Sequence, residues 1–508
     1  MSPSCLNKIS ERFLTNRRNC AAISFLCSML LVTFLLHCLT LTRSPTLGPD
    51  EVQVIDYGRM IDAPTPWSLT LAVDGESRRP GSPIFAFLVW KWVTCIGPGA
   101  FFARLFSCFA AVGAVLVFCQ LLRVMGVGVW MSVVLALSLW FDPLFVTSFR
   151  QMRPDSFALF LCFLACWAWQ HALVQNSRAA AFFAGVAAIT AYFSWPTSAV
   201  FLLLGIFLFL LKVVKREPGL CTNLCWGMVG AFTAFVIISV VFDYTLIRFF
   251  HRFSASESAI YPDGHPLHGS ILSTIVEHYA RSPWVLLWAL AAVVASCWNR
   301  RGLGILLVIS AGLALAWTRP PFYAWRLLYV VPLFYVLMGM SLTSPRIPKL
   351  LFVLLVVPSL FVNLGVRSAI AVKEWQQRDF TKVEERLTTL IPDGSVVVGR
   401  WAHYYTGLRH DWKMYSHFHF GAVADRYDEF YLVHSTHESI PNWTGGMTYK
   451  RLIHVNTYGT NEEERKSRSG RGYSFDVYLF QPNSNHFTTN QEADHHERFS
   501  RPVLTNDQ

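Results

Sequence analysis

The run Ala21–Leu41 (AAISFLCSMLLVTFLLHCLTL) decides the fold class. A helix that crosses a bilayer needs ~20 mainly apolar residues, and this run carries no Asp, Glu, Lys or Arg. Lys8, Arg12, Arg17 and Arg18 precede it, as in a secretory leader, but the run is longer than a leader's apolar core. No small-x-small cleavage site follows it, so it reads as a retained first span.

Further windows of the same character are 101–122, 129–149, 156–174, 179–195, 197–214, 222–243, 283–298, 302–317, 324–342 and 349–367. Trp195-Pro196 divides 179–214 into two spans, because proline cannot continue the helix there. The segment 83–96 is apolar but short and contains Lys91, which predicts an interfacial or re-entrant helix. Composition agrees. Of 508 residues 53% are hydrophobic and 15% charged, against about a quarter charged in soluble chains. The net charge of +11 is spread between apolar segments, which argues for topology and against a nucleic-acid partner. No cysteine follows Cys297, so the C-terminal part has no disulfide. Cys221 and Cys225 alone do not make a zinc site and read as structural.

These windows predict an α-helical polytopic membrane protein of about 11 spans. With a cytoplasmic N-terminus (1–20), the inner loops hold Arg123, Arg178, Lys212, Lys215, Arg216, Arg300, Arg301, Arg346 and Lys349. The connections 42–100 and 244–282, and everything after 368, then fall on the outer (periplasmic, extracellular or lumenal) side. The membrane module is expected over 21–367, a small outer α/β domain over 368–482 and a mobile tail over 483–508. Within that domain 373–391 alternates charged and apolar residues at helical spacing, and 395–399, 429–434, 451–456 and 473–481 read as strands.

Three features carry chemistry. Gly48-Pro49-Asp50-Glu51 opens the first outer loop, and proline followed by two acids is a helix-start signal. Val54, Tyr57, Gly58 and Ile61 then share one face of a short amphipathic helix. Asp50 and Glu51 sit in its first turn, where the helix dipole favours negative charge, and a carboxylate there is placed to act as a base. The plainer reading is a charge pair at the start of a surface helix. The turn Arg150-Gln151-Met152-Arg153-Pro154-Asp155 lies on the same predicted side, and Arg326 sits a turn inside a late apolar window. Arginine suits phosphate because its planar fork donates two parallel bonds; ordinary headgroups or Asp155 are the competing partners. The loop 244–282 carries His265 and His268, acceptor or metal candidates without specific ligand spacing. Asn442-Trp443-Thr444 is a formal glycosylation sequon.

Taken together, a first span followed by Pro49-Asp50-Glu51, the Pro83-Ile84-Phe85-Ala86-Phe87 segment, the Arg153-Pro154-Asp155 turn and Arg326 with Tyr329 and Pro332 resemble a known pattern. It is that of the GT-C superfamily of membrane glycosyltransferases, and within it the protein O-mannosyltransferase and lipid A aminoarabinose transferase family. The resemblance covers about residues 20–367; that family often has His or Asn in place of Gly48. It implies a polyprenyl-phosphate sugar donor, a lipid, glycan or protein acceptor, and inverting transfer with Asp50 as base. Glu51 orients the acceptor or a neighbouring side chain, and Arg153 and Arg326, with Arg150 behind them, hold the donor phosphate. No cofactor is demanded, and a divalent metal is compatible because relatives differ. A transporter or lipid flippase, or a non-catalytic assembly subunit of the same architecture, are the rival readings.

Overall fold

The computed structural model describes residues 3–44, 48–63, 65, 67–69, 82–199, 201–202, 220–242, 279–280, 282–297, 324–399, 401–417, 420–435, 441, 444, 447–458 and 472–481. The window 302–317, most of 197–214, and the 244–278 stretch with His265 and His268 lie outside the described residues. In chain order the helices of the apolar part are α1 (Pro3–Thr40), α2 (Pro49–Asp62), α3 (Pro83–Ile96), α4 (Ala100–Val124), α5 (Val129–Trp140) and α6 (Pro143–Arg150). They continue as α7 (Asp155–Gln175), α8 (Arg178–Ser194), α9 (Leu220–Val241), α10 (Pro283–Cys297), α11 (Val331–Ser341) and α12 (Ile347–Lys373).

Among the described residues five helices are long and apolar enough to cross a bilayer. They are α4, α7, α9, α12 and the Asn19–Thr40 part of α1. A sixth span results if α5 and α6 act as one bent pair. The chain is an integral membrane protein. At 14 residues α3 is about 21 Å long, short of the ~30 Å hydrocarbon layer.

The predicted single window 129–149 is broken. α5 ends at Trp140, α6 starts at Pro143, and the two axes differ by 58°. Pro143 has no N–H and pushes the residue before it out of helical conformation, so Asp142 is extended (φ −62°, ψ 133°). Its Oδ1 accepts from the amides of Leu144 (3.0 Å) and Phe145 (3.3 Å), and Oδ2 from the hydroxyls of Tyr279 (3.1 Å) and Tyr335 (3.3 Å). The Phe141 carbonyl freed by the break accepts from Asn363 Nδ2 at 2.8 Å. An acid inside an apolar window is here a helix cap with every oxygen occupied. α12 meets its own proline differently: Pro358 lies in an α-helical turn between two π-helical segments, Phe352–Val356 and Phe361–Val366.

The amphipathic helix expected after Pro49 is observed as α2. It crosses α3 at Gly58, where a Cβ would run into the Ala86 carbonyl and lie 2.7 Å from Trp90 Cβ. Glycine alone allows that approach. α8 and α9 close in the same way, since a Cβ on Gly185 would meet the Gly227 carbonyl.

The C-terminal part contains α13 (Thr381–Leu390), β1 (Val396–Gly399), α14 (Tyr404–Arg409), β2 (Lys413–Ser416), β3 (Phe430–Ser435), β4 (Thr448–Asn456) and β5 (Ser474–Gln481). The predicted strands occur with their ends moved, most at Thr448, and β2 and α14 are additions to the sequence reading. The expected helix over 373–391 starts only at Thr381, whose amide is accepted by Asp379 Oδ1 at 3.1 Å. The sheet order is β2-β1-β3-β5-β4; β1 runs parallel to β2 and β3, and β5 antiparallel to β3 and β4. One apolar core joins Val52, Ile55 and Tyr57 of α2 and Phe85 and Val89 of α3 to Val383, Leu387, Tyr404, Trp412 and Val477. The sheet region therefore packs on α2 and α3 as a continuation of their core.

Candidate active site

Gly48 precedes α2 in extended backbone, and its amide is accepted by Glu51 Oε2 at 3.3 Å, so Glu51 caps its own helix. The two acids then part. Asp50 side chain is 54% exposed, whereas Glu51 is sealed at 1%. Glu51 receives both arms of Arg104 from α4, Nε and Nη2 each at 2.7 Å, and Arg104 Nη1 reaches the Leu41 carbonyl just past α1 at 2.6 Å. Burial pushes the Glu51 carboxyl above the usual carboxylate range, against the pull of the guanidinium beside it. The pair ties α1, α2 and α4 together and fixes the angle at which Asp50 leaves the helix.

Asp50 meets Arg153, whose Nη1 donates to its Oδ2. Arg153 is 6% exposed and holds Asp155 by Nε at 3.0 Å. The turn that presents it places buried Met152 in the left-handed region (φ 49°), an uncommon conformation for a bulky residue, secured by the packing of its side chain into the core of α2 and α3. Pro154 then opens α7 with Asp155 at its first turn. Asp155 is fully buried, with the buried Tyr329 hydroxyl beside it. The result is a row Asp50–Arg153–Asp155–Tyr329 running from the exposed surface into the protein. Positions 50 and 153 thus lie on the same side of the bundle.

Arg150 is placed elsewhere. Its guanidinium is fully buried against the end of α1, with Nη1 2.9 Å from His37 Nδ1 and Nη2 donating to Thr40 Oγ1 (3.1 Å), the Thr40 carbonyl (3.3 Å) and the Ser44 carbonyl. It caps the carbonyl end of α1 behind the row. Arg326 lies in a 3-10 turn, Ala324–Tyr329, three residues before Tyr329; its side chain falls outside the described ones. Among the described residues no group of three or more His, Cys, Asp or Glu side chains is placed to hold a metal ion.

Sequence reasoning missed Arg104. Its signal was an arginine near the start of the apolar window 101–122, which demands a partner. It also missed a second network farther along α2. Asp56, fully buried, accepts from Arg59 Nε (3.1 Å) and Nη2 (2.7 Å), from Tyr404 Oη (3.1 Å) and from Ser68. Arg59 stacks on Trp67 with its guanidinium carbon 3.7 Å from the ring centroid.

No protein-family model matches the chain, and no curated protein matches it. Solved structures do. ArnT from Cupriavidus metallidurans bound to undecaprenyl phosphate aligns at a TM-score of 0.59 and 13% identity, over 91% of this chain and 98% of that one. The same protein in its apo state gives 0.57 and 11%, over 90% and 97%. The arabinofuranosyltransferase AftD from Mycobacteria gives 0.53 and 12%, over 91% of this chain and 42% of that one. At such identities the likeness is one of architecture, and in architecture the chain resembles the GT-C superfamily of membrane glycosyltransferases.

Proposed function

We propose that the chain is a membrane glycosyltransferase that takes a sugar from a polyprenyl-phosphate carrier and transfers it, with inversion, to an acceptor hydroxyl or phosphate on the outer side of the membrane. The observation that carries this reading is the contact between exposed Asp50 and buried Arg153 at the start of α2, close after the first span. The fold supports it, since a protein of the same architecture has been solved with undecaprenyl phosphate bound.

The chemistry follows from charge. An acceptor O–H gives its proton to an Asp50 oxygen while its oxygen forms a bond to the anomeric carbon. The bond from that carbon to the phosphate oxygen breaks, and polyprenyl phosphate departs with the electron pair. The transition state is oxocarbenium-like, so stabilising the leaving phosphate matters more than covalent help to the sugar. Arg153 is anchored through Nε to Asp155, which leaves its Nη edge pointing at Asp50 and at the space a donor phosphate would share with it. Arg326, in the turn that ends at Tyr329, is the second phosphate candidate, and Arg150, held on the end of α1, lends positive charge behind Arg153. Glu51, locked to Arg104, orients the helix and touches no reacting atom. His265 and His268 stay assigned to acceptor or metal contact on the second long loop.

A transporter would carry its working acid near the bilayer midplane. Asp142 is the described acid that best fits that description, and its oxygens are fully engaged by two amides and two hydroxyls. Purified protein in lipid nanodiscs, incubated with polyprenyl-phosphate sugars differing in sugar and chain length, is expected to release polyprenyl phosphate from at least one. Release from none, with the protein folded and monodisperse, contradicts the reading.

A further inference from the structure

We propose that Tyr404 is a positioning residue: by joining Asp56 it clamps the C-terminal sheet region onto α2, so that docking of this region sets where Asp50 stands for sugar transfer. The second half of the statement rests on the function proposed above; the clamp itself does not.

The geometry is that of one rigid helix held at its start and at its middle. Asp50 and Asp56 are six residues apart on α2, about 9 Å along its axis. At the first end Glu51 and Arg104 fix the helix to the membrane bundle. Halfway along the helix Asp56 is completely buried and takes one of its donors, the Tyr404 hydroxyl at 3.1 Å, from α14 in the sheet region, 348 residues along the chain. A buried carboxylate holds its donors tightly, because leaving it short of one carries a full desolvation cost. Apolar packing alone would let α2 slide on the sheet, whereas a hydrogen bond to a charged group fixes distance and direction.

Further ties run between the same two bodies. Arg409, also on α14, donates from Nη1 to the Pro98 carbonyl after α3 at 2.6 Å and pairs with Glu384 of α13. Arg378 donates to the Arg43 carbonyl at 3.0 Å, and Arg43 pairs with Asp379 and lies over the Trp375 ring at 4.7 Å. Tyr405, next to Tyr404, is buried in the apolar core that α2 and α3 share with the sheet region. The sheet region thus shares the apolar core of α2 and grips the middle of that helix directly. Displacing a general base by about 1 Å is enough to cost roughly 100-fold in rate.

The test uses the full chain in nanodiscs and compares wild type, Tyr404→Phe and Arg409→Ala. The last removes an exposed tie and serves as the second variant if Tyr404→Phe does not accumulate. Hydrogen exchange of the α2 amides reads the clamp without any donor; release of polyprenyl phosphate reads its consequence. Tyr404→Phe is expected to raise exchange across 50–62 at least several-fold and to lower kcat roughly 10- to 100-fold with the donor KM unchanged; Arg409→Ala is expected to move both in the same direction by less. Unchanged exchange in both variants overturns the clamp. Raised exchange with kcat within two-fold of wild type overturns its role in positioning, and so does a rise in donor KM at constant kcat. If wild type turns over no donor, the transfer reading and the positioning claim fall together, while exchange still decides the clamp.

Discussion

Asp142 and Asp155 are each buried next to a proline at a helix start, and they end in opposite states. At the α5–α6 break Asp142 is surrounded by neutral donors that fill both its oxygens. At the turn before α7, Asp155 shares one arginine with exposed Asp50 and keeps an oxygen without a hydrogen bond. The first arrangement is closed, as suits a cap that holds a bend in a helix. The second is charged, incomplete and open at one end, which is what a site that must exchange partners during a reaction requires. Finding an acid in an apolar window therefore says little until its lone pairs are counted.

Substitutions can break this contrast. The largest effect is expected at Arg153. Arg153→Lys replaces a fork that spans Asp50 and Asp155 with a point charge, and transfer should fall roughly 100- to 1,000-fold while the protein still accumulates in the membrane. Initial rates of polyprenyl phosphate release measure it; a loss below five-fold would mean that the fork is dispensable. Asp142→Ala should do the converse. It removes a cap, takes the acceptor from the buried Tyr279 hydroxyl and one of two acceptors from the Tyr335 hydroxyl, a loss of about 2–4 kcal/mol. The thermal unfolding midpoint should drop by several degrees, and kcat of the protein that remains folded should stay within a few-fold of wild type. A collapse of kcat at an unchanged midpoint would move Asp142 into the working machinery.

A smaller effect sharpens the same comparison by pH. His403, which precedes α14, is buried and its titration is pushed down from the ordinary 6.5 to about 4 by loss of solvent. Between those values the unfolded chain takes up a proton that the folded protein refuses. Stability therefore falls as pH drops from about 6.5 towards 4, by at most about 3 kcal/mol, and this group adds nothing further below that range. Unfolding of the sheet region followed by tryptophan fluorescence should show this acid sensitivity, and His403→Asn should flatten it.

Much of the architecture was legible because apolar length and helix-start chemistry are local. Ala21–Leu41, the Pro49-Asp50-Glu51 start of α2 and the Ser395–Gly399 strand each declare themselves within a few residues. The pairing of Asp50 with Arg153 was legible only as a shared side, from the alternation of loops. What stayed hidden depends on contacts distant in sequence. The 129–149 window reads as one span by hydropathy, although Asp142-Pro143 carries a cap-and-proline signature that outweighs it. Arg104 lies in an apolar stretch and gives no hint of which acid it serves. The junction of Asp56 with Tyr404 links residues 348 apart. Strand β2 has four residues and helix α14 six, too few for a periodic signal.

The most direct test of the reaction centre is a single-turnover experiment with Asp50→Asn, loaded with a polyprenyl-phosphate sugar that wild type consumes. The exchange keeps size and polarity but removes the base, so donor binding should persist while product forms ~10²–10⁴-fold more slowly. Product appearing at the wild-type rate from an equally loaded variant would contradict the assignment of Asp50 as the base.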